Sequence, residues 1–426
     1  MRELPDRLVD LQAQLRAGEW TIADSLQAQR ARMAERAPAL GCVTALWPDT
    51  DPVQDGPLRG VALAHKDIFD LPARAPGLGV TRGRADPARQ RAAALARLAQ
   101  SGAHQSAALA MAAHACGATA QNPHLPRAIN PLNPAWAVGG SSSGSAVAVA
   151  AGLTYFSLGT DTAGSVRIPA ATCGLWGLKT THGLIDTTGC APLAPSLDSI
   201  GVLARHADDV RVALRCLAPD LDDAPVSQGA PRLRCWLPPA HIDAPVHTDL
   251  QAWASAQGAT AVDLGGIVHT LTLHAQRVLC FEVAQTHHAE LCAGRADPGV
   301  QALGWTGLVM PRAWYDDACA VRGAWLAHFV QTALADADAL VLPALPCSVP
   351  DWDEVHTDQP RFAAPKLLAL HRFMGFVNYL GLPALSMPIG TDRQGRPLSV
   401  QLVARPHAEH RLLQMAQRLS PLSKHD

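Results

Sequence analysis

The 426-residue sequence has few lysines, no CxxC pair, no long apolar run and no large excess of either charge. Its 35 basic and 37 acidic residues give a net charge of −2, so the basic surface of a nucleic-acid-binding protein is not expected. The ten cysteines lack the spacing of a zinc site and are expected to be core thiols in a reducing, cytoplasmic compartment. The longest weakly polar run, residues 146–159, is shorter than the roughly 20 apolar residues that span a membrane. No secretory signal, membrane partner or metal is therefore expected.

Lysine is scarce, because only four of the 35 basic residues are lysines and the rest are arginines. Lys66 ends the apolar run GVALAHKD (60–67), which follows a Gly/Pro turn and predicts a buried strand. A lysine in that place, in a chain that otherwise uses arginine, indicates a task that needs loss of a proton. Lowering a lysine pKa from about 10.4 to 7 costs roughly 4.6 kcal/mol, which burial is able to supply. The alternative is an ion pair with Asp67 or Asp70.

Two segments concentrate small residues between apolar flanks: GGSSSGSAVAVAAG (139–152) and GTDTAGSVRIPAATCG (159–174). A flexible Gly/Ser linker is the alternative for the first segment, but an apolar helix and a buried strand follow it directly. In the second segment, Ser165 precedes a predicted helical turn containing Pro169, which would aim several backbone N–H groups at one point. This is how an oxyanion hole is built.

The first segment also matches the nucleophile-elbow pattern G-x-S-x-G, through Gly140, Ser142 and Gly144. That elbow requires a buried strand immediately before it. The preceding residues, AINPLNPAWAV, contain two prolines that a central strand does not tolerate. We therefore reject an α/β-hydrolase elbow.

Together, the lysine and the two segments resemble the amidase signature family of hydrolases. The family order is a lysine after a strand, a GGSS run, and a DTGGS-like run followed by R-x-P and G-x-x-G-L-K; this sequence has HKD, GGSSSG and DTAGSVRIPAATCGLWGLK. The resemblance is strong from about residue 60 to 204 and weaker over VLPALP, NYLGLPALSMPIG and VQLVARP near the end.

The resemblance implies a Ser–cisSer–Lys catalytic triad. Ser165 corresponds to the nucleophile, Ser141 to the bridging serine, and Lys66 to the base that exchanges a proton with Ser165 through Ser141. In the family, the peptide bond before the bridging serine is cis. The other roles implied are backbone N–H donors to the oxyanion from Thr162, Ala163, Gly164 and Ser165, and supporting contacts from Gly140, Ser142, Asp161 and Arg167.

The implied activity is hydrolysis of a carboxamide through a Ser acyl-enzyme, with release of ammonia or an amine and with no metal or cofactor. GGSSSGS is similar to the corresponding segment of malonamidase-like and biuret-pathway amidases, which implies a small polar amide. Arg82 and Arg312 are candidates to bind a substrate carboxylate, with exposed surface arginines as the alternative. Two further alternatives are an amidotransferase A-type subunit that releases ammonia from glutamine for a partner, and a catalytically idle scaffold subunit. The sequence does not decide whether the chain forms a homodimer.

Alternating strands and helices indicate an α/β class. The resemblance implies a single α/β/α domain over 1–426, with a large mixed twisted sheet covered by helices on both faces. We expect N-terminal helices at about 1–38, a signature core at about 60–204, a variable middle at about 215–335, and C-terminal strands and helices at about 336–420. Helices are predicted at 88–100, 106–115 and 408–419, and strands at 155–159 and 398–403.

Overall fold

The computed structural model describes residues 3–47, 54–72, 74–81, 88–223 and 229–419. Within these ranges the strands form one 11-stranded sheet. The strands are Val43–Leu46 (β1), Ala62–Lys66 (β2), His104–Leu109 (β3), Phe156–Asp161 (β4), Trp176–Lys179 (β5), Ser199–Ala204 (β6), Leu233–Cys235 (β7), Thr260–Ala261 (β8), Ala339–Pro343 (β9), Ala384–Thr391 (β10) and Pro397–Val403 (β11).

The sheet is mixed, with the strand order β1-β3-β2-β4-β6-β5-β10-β11-β9-β7-β8. Strand β2 is parallel to both β3 and β4, and β7 is parallel to β8 and β9. The neighbours from β4 through β6, β5, β10 and β11 to β9 are antiparallel, as is the pair β1–β3. All five residues of β2 and all six of β4 are buried, which places the ends of these two strands inside the molecule.

Helices follow most of the strands. They are Leu8–Arg16 (α1), Ile22–Arg36 (α2), Ala93–Gln100 (α3), Ser143–Ala150 (α4), Arg167–Thr172 (α5), Ala207–Leu217 (α6), Ala244–Ala256 (α7), Gly265–Thr286 (α8), His288–Cys292 (α9), Pro298–Val309 (α10), Arg312–Ala320 (α11), Arg322–Phe329 (α12), Trp352–Val355 (α13), Ala364–Ala369 (α14), Gly375–Tyr379 (α15) and Glu409–Leu419 (α16).

The hydrophobic core lies on both faces of the sheet. Helix α4 packs in one cluster with Ala64 of β2 and Leu109 of β3, whereas α1, α3 and α6 pack in another with Leu63 and Leu158. The side chains of consecutive strand residues point to opposite faces of the sheet. Because apolar residues of β2 point to both faces, helices must cover both faces of the sheet. The predicted α/β class with a large mixed sheet and helices on both faces is confirmed; the division of the chain into the four ranges given above stays a prediction.

The helix predicted over 106–115 is wrong. Residues 104–109 form the buried strand β3, and a single turn of 3₁₀ helix follows at Ala113–Ala115. The alanine-rich sequence favours a helix locally, but the position between β1 and β2 supplies backbone partners on both sides and buries every residue of the strand. The predicted helix at 88–100 begins only at Ala93, and the strand at 155–159 continues to Asp161.

Among the described residues, no helix is both long enough and apolar enough to cross a membrane.

Candidate active site

Lys66 is the last residue of β2 and is completely buried. Its Nζ lies 2.7 Å from Ser141 Oγ and 2.7 Å from Thr160 Oγ1, and it donates to both hydroxyls. Strand β2 is adjacent to β4, which carries Thr160, and the loop with Ser141 leads into α4, which packs on β2. The fold therefore brings together residues that lie 75 and 94 positions apart in the sequence.

Burial sets the proton affinity of Lys66. Loss of solvation lowers its pKa from 10.5 to about 7, although Cys190, Asp198 and Asp161 act in the opposite direction. Asp67 does not balance this charge by a salt bridge, because its carboxylate instead pairs with Arg74 at 2.6 and 2.8 Å. A substantial fraction of neutral Lys66 amine is therefore present near neutral pH.

The Gly140–Ser141 peptide bond is cis. Gly140 lies against a neighbouring loop so closely that a Cβ atom would come within 2.3 Å of the carbonyl oxygen of Thr119. Ser142 donates its N–H to the carbonyl oxygen of Ser165 at 3.2 Å, and its hydroxyl lies 3.4 Å from the carbonyl oxygen of Thr160. Gly140 and Ser142 thus hold the loop of Ser141 against the loop of Ser165.

Asp161 organises the loop that carries Ser165. Its carboxylate accepts hydrogen bonds from the N–H groups of Gly164 at 2.9 Å and Val166 at 3.1 Å, and pairs with Arg167 at 2.8 Å in a fully buried ion pair. Burial alone would raise the pKa of Asp161, but Arg167 and further hydrogen bonds hold it below its usual range. This network fixes the turn between β4 and α5.

The four predicted oxyanion donors differ in availability: one is engaged and three are free. The N–H of Gly164 is engaged by Asp161, so this donor does not fit the predicted role in the present geometry. The N–H groups of Thr162, Ala163 and Ser165 have no hydrogen-bond acceptor within the described part of the chain. Ala163 is absent from the described non-glycine residues with positive φ, as its Cβ requires, whereas Gly164 has a φ of +109°. Three backbone donors are therefore free to bind an oxyanion.

Ser141 and Ser165 are both buried, with exposed fractions of 0% and 5%. Among the described contacts, no hydrogen bond joins their two hydroxyls; the link between the two loops is the Ser142–Ser165 backbone contact. Catalytic hydrogen bonds are often long or poorly aligned in the absence of substrate. The described contacts thus join the Ser141 hydroxyl to the Lys66 amine and do not join it to the Ser165 hydroxyl.

A cavity of about 330 Å³ opens beside Ser165. Thr162 and Ala163 also line it, together with side chains from α8, α10 and the segment that precedes α15. Arg312 does not line this cavity: it lies on α11, exposed, 3.4 Å from Asp316 one helical turn away. Arg82 lies outside the described residues. The arginine that does line the cavity is Arg372.

Sequence reasoning missed several residues that support the site. Thr160 was overlooked although it precedes the DTAGS run directly, and its hydroxyl contacts Lys66. Asp198 accepts the hydroxyl hydrogen of Thr162 at 2.5 Å, and burial raises the Asp198 pKa to about 6. Asn378, far along the chain, donates to the Asp161 carboxylate at 2.9 Å. Asn378 is the first residue of the NYLGLPALSMPIG segment, whose weaker resemblance gave it no role, and no motif marks Asp198. Only folding brings these two residues to the loop.

Replacing Thr160 with valine is expected to lower kcat about tenfold or more. Valine keeps the shape of threonine but removes an acceptor of the Lys66 amine, so the amine loses one of its two positioning contacts. Loss of a hydrogen bond to the charged form should also move the Lys66 pKa downward. The check is the rate measured as a function of pH. The pH below which the rate falls, as Lys66 becomes protonated, should be lower in the variant, whereas a purely structural defect would lower the rate at every pH alike.

Comparisons with known proteins identify the family of this chain. The Amidase family model matches residues 48–240 and 300–413, well over half of the chain. The chain belongs to the amidase family. It is an enzyme that hydrolyses carbon–nitrogen bonds, and the relatives favour this activity over the amidotransferase and scaffold alternatives.

Two relatives illustrate the range of this amidase family. The chain is 30% identical over 384 residues to a 1-carboxybiuret hydrolase subunit of Pseudomonas sp. (strain ADP). This alignment covers 83% of this chain and 82% of the relative. It is also 30% identical over 368 residues to an indoleacetamide hydrolase of Pseudomonas savastanoi, covering 79% and 78% of the two chains. A crystal structure of an amidase superposes with a TM-score of 0.84 at 26% identity, over 96% of this chain and 98% of that one.

Proposed function

We propose that this amidase cleaves its substrate through a Ser165 acyl-enzyme, with Ser141 and Lys66 moving the proton. The observation that carries the proposal is the 2.7 Å contact between a completely buried lysine amine and the Ser141 hydroxyl. A neutral amine in that position accepts the Ser141 proton, while Ser141 takes the proton of Ser165. The Ser165 oxygen then forms a bond to the amide carbonyl carbon.

The negative charge that develops on the carbonyl oxygen needs donors that are already oriented. The N–H groups of Thr162, Ala163 and Ser165 supply them, since Asp161 and Arg167 fix the turn before substrate arrives. A single donor of this kind typically contributes about 10²- to 10³-fold to kcat. The oxyanion hole is therefore the main electrostatic element of the proposed mechanism.

Collapse of the tetrahedral intermediate breaks the carbon–nitrogen bond. The proton held by Lys66 returns through Ser141 to the leaving nitrogen, so ammonia or an amine departs as a neutral molecule. Water then attacks the Ser165 ester and gives up a proton through Ser141 to Lys66. As the ester C–O bond breaks and the carboxylic acid leaves, this proton returns through Ser141 to the Ser165 oxygen. Lys66 and Ser141 finish the cycle in their starting protonation states.

Covalent labelling tests this assignment. A fluorophosphonate should modify the native protein once, and peptide mass analysis should place the label on Ser165. Ammonia release from a primary amide should disappear in proportion to the label. A label on a different serine, with Ser165 unmodified and activity lost, would contradict the proposal.

The rate should depend on the charge of Lys66. Because burial lowers the Lys66 pKa to about 7, the protonated and inactive form dominates below this pH and the neutral base above it. On a substrate that does not titrate, log kcat/KM should rise with a slope of one up to about pH 7 and level off above. A profile that is flat from pH 5 to 9 would contradict a lysine base.

A further inference from the structure

The cavity beside Ser165 is lined mainly by apolar side chains. Apart from the oxyanion loop, its walls include leucines from the loop before β6 and from helices α8 and α10, namely Leu193, Leu197, Leu279 and Leu303, together with Ala275 and Leu368. A ligand that fills this space exchanges water for hydrocarbon contacts. The volume, about 330 Å³, lies at the small end of the range for ligand sites and suits one ring or a short alkyl chain.

The polar groups in the same wall are largely engaged within the protein. The Thr272 hydroxyl donates to the carbonyl oxygen of Val268 at 2.8 Å, and Nδ1 of His371 contacts the carbonyl oxygen of Ala163 at 2.7 Å. Burial lowers the pKa of His371, so its imidazole is neutral near pH 7. Gln276 also lines the cavity, and its Nε2 donates to Cys280 Sγ at 3.1 Å. Few side-chain donors are therefore left to replace the hydration of a polar substrate group.

Charge is nearly absent from the wall as well. Arg372 is the one charged side chain among the described lining residues, and it is exposed, with Nη1 3.0 Å from Nδ1 of His241. No described carboxylate lines the cavity. A carboxylate that lies among the leucines, away from Arg372, would lose its hydration without gaining a partner.

The position of the proton relay identifies which half of the substrate enters. Ser165, Thr162 and Ala163 line the cavity, but Ser141 and Lys66 do not. The leaving nitrogen must approach Ser141 to receive its proton, so it points away from the cavity. The acyl part of the substrate therefore faces the leucines.

From these observations we infer that the enzyme acts on amides of apolar carboxylic acids, aliphatic or aryl, whose hydrocarbon part fills this cavity. The inference rests on the proposed acyl-enzyme mechanism and adds its substrate class. It departs from the small polar amide expected from the sequence, because the residues that form the wall lie outside the motifs on which that expectation was based.

A homologous series of primary amides tests the inference. From acetamide to hexanamide, four methylenes are added, and kcat/KM should rise about 200-fold, roughly fourfold for each buried methylene. The sharper comparison uses 3-methylbutanamide and malonamate, which have the same branched shape but differ in charge. We expect kcat/KM for 3-methylbutanamide to exceed that for malonamate by about 100-fold or more.

Matched variants locate the effect in the cavity. Leu303→Asn should lower the ratio of kcat/KM for hexanamide to kcat/KM for acetamide by more than about fivefold. Leu308→Asn, on the same helix but outside the cavity, should leave both values unchanged. Using the ratio of two substrates for each variant cancels differences in the active fraction.

Different results would contradict the apolar substrate class and the Ser165 mechanism. Malonamate turned over as fast as 3-methylbutanamide, or a Leu303→Asn enzyme with an unchanged substrate ratio, would overturn the apolar substrate class while leaving the Ser165 mechanism intact. If no amide is hydrolysed and Ser165 is not labelled, the proposed function fails, and the substrate class fails with it.

Discussion

Ser165→Ala is expected to lower kcat by about 10⁴- to 10⁶-fold, because removing the nucleophile of a covalent mechanism leaves only binding and the oxyanion donors. The variant should fold normally. The Ser165 hydroxyl makes no hydrogen bond to another described residue, and the backbone groups that hold the loop are unchanged. Ammonia release from hexanamide and the thermal midpoint of unfolding, measured on the same sample, check both halves of the prediction.

A second serine variant controls for general effects of the substitution. Ser101 directly follows α3, where its hydroxyl donates to the carbonyl oxygen of Arg97 at 3.0 Å, and it does not line the cavity beside Ser165. Ser101→Ala should keep at least about half of the activity. Turnover by Ser165→Ala within tenfold of the native value would show that another group attacks the amide.

Lys66→Arg should lower kcat/KM by about 10²- to 10⁴-fold, the range typical of a lost general base. Arginine keeps the positive charge, so a lysine that acted only as a counter-ion would be replaced with little loss. A guanidinium does not lose its proton near neutral pH and is unable to accept one from Ser141. The same substitution should also remove the acidic limb near pH 7 from whatever activity is left.

Two control variants test whether the loss of activity has a cause other than loss of the base. Lys366 is half-exposed and pairs with Glu354 at 2.6 Å, so Lys366→Arg should be nearly silent. Lys66→Met has a similar length and no charge, and it should fold but be inactive, which separates loss of the base from crowding by the larger arginine. An arginine variant with half of the native kcat/KM would restore a purely structural role for Lys66.

Lysine scarcity alone does not select the base, as Lys179 shows. Lys179 is also completely buried, and burial lowers its pKa to about 7. Its amine, however, donates to the carbonyl oxygens of Thr180 at 2.7 Å and Leu382 at 2.9 Å and contacts neither proposed catalytic serine. Motif order distinguished the two lysines in the sequence, and the contacts give the physical reason for the difference.

The sequence by itself determined the segments in which each triad candidate stands, because small residues are required where backbones approach closely, and apolar flanks are required where strands are buried. Gly140, with space for no side chain, and the fully buried β2 and β4 are examples. It also determined the α/β class through the alternation of strand and helix patterns.

Only the tertiary structure decided which groups meet. Thr160 and Ser141 both contact the Lys66 amine because β2 lies beside β4. The N–H of Gly164 donates to the Asp161 carboxylate, and not to a substrate, because the turn closes on that carboxylate. Residues 104–109 form a strand because β1 and β2, on either side, supply backbone hydrogen-bond partners. The alanine-rich sequence of the segment does not by itself indicate those partners. The cavity wall is likewise assembled from separate helices and loops, so its apolar character has no local motif: it arises from long-range packing, which local propensity does not specify.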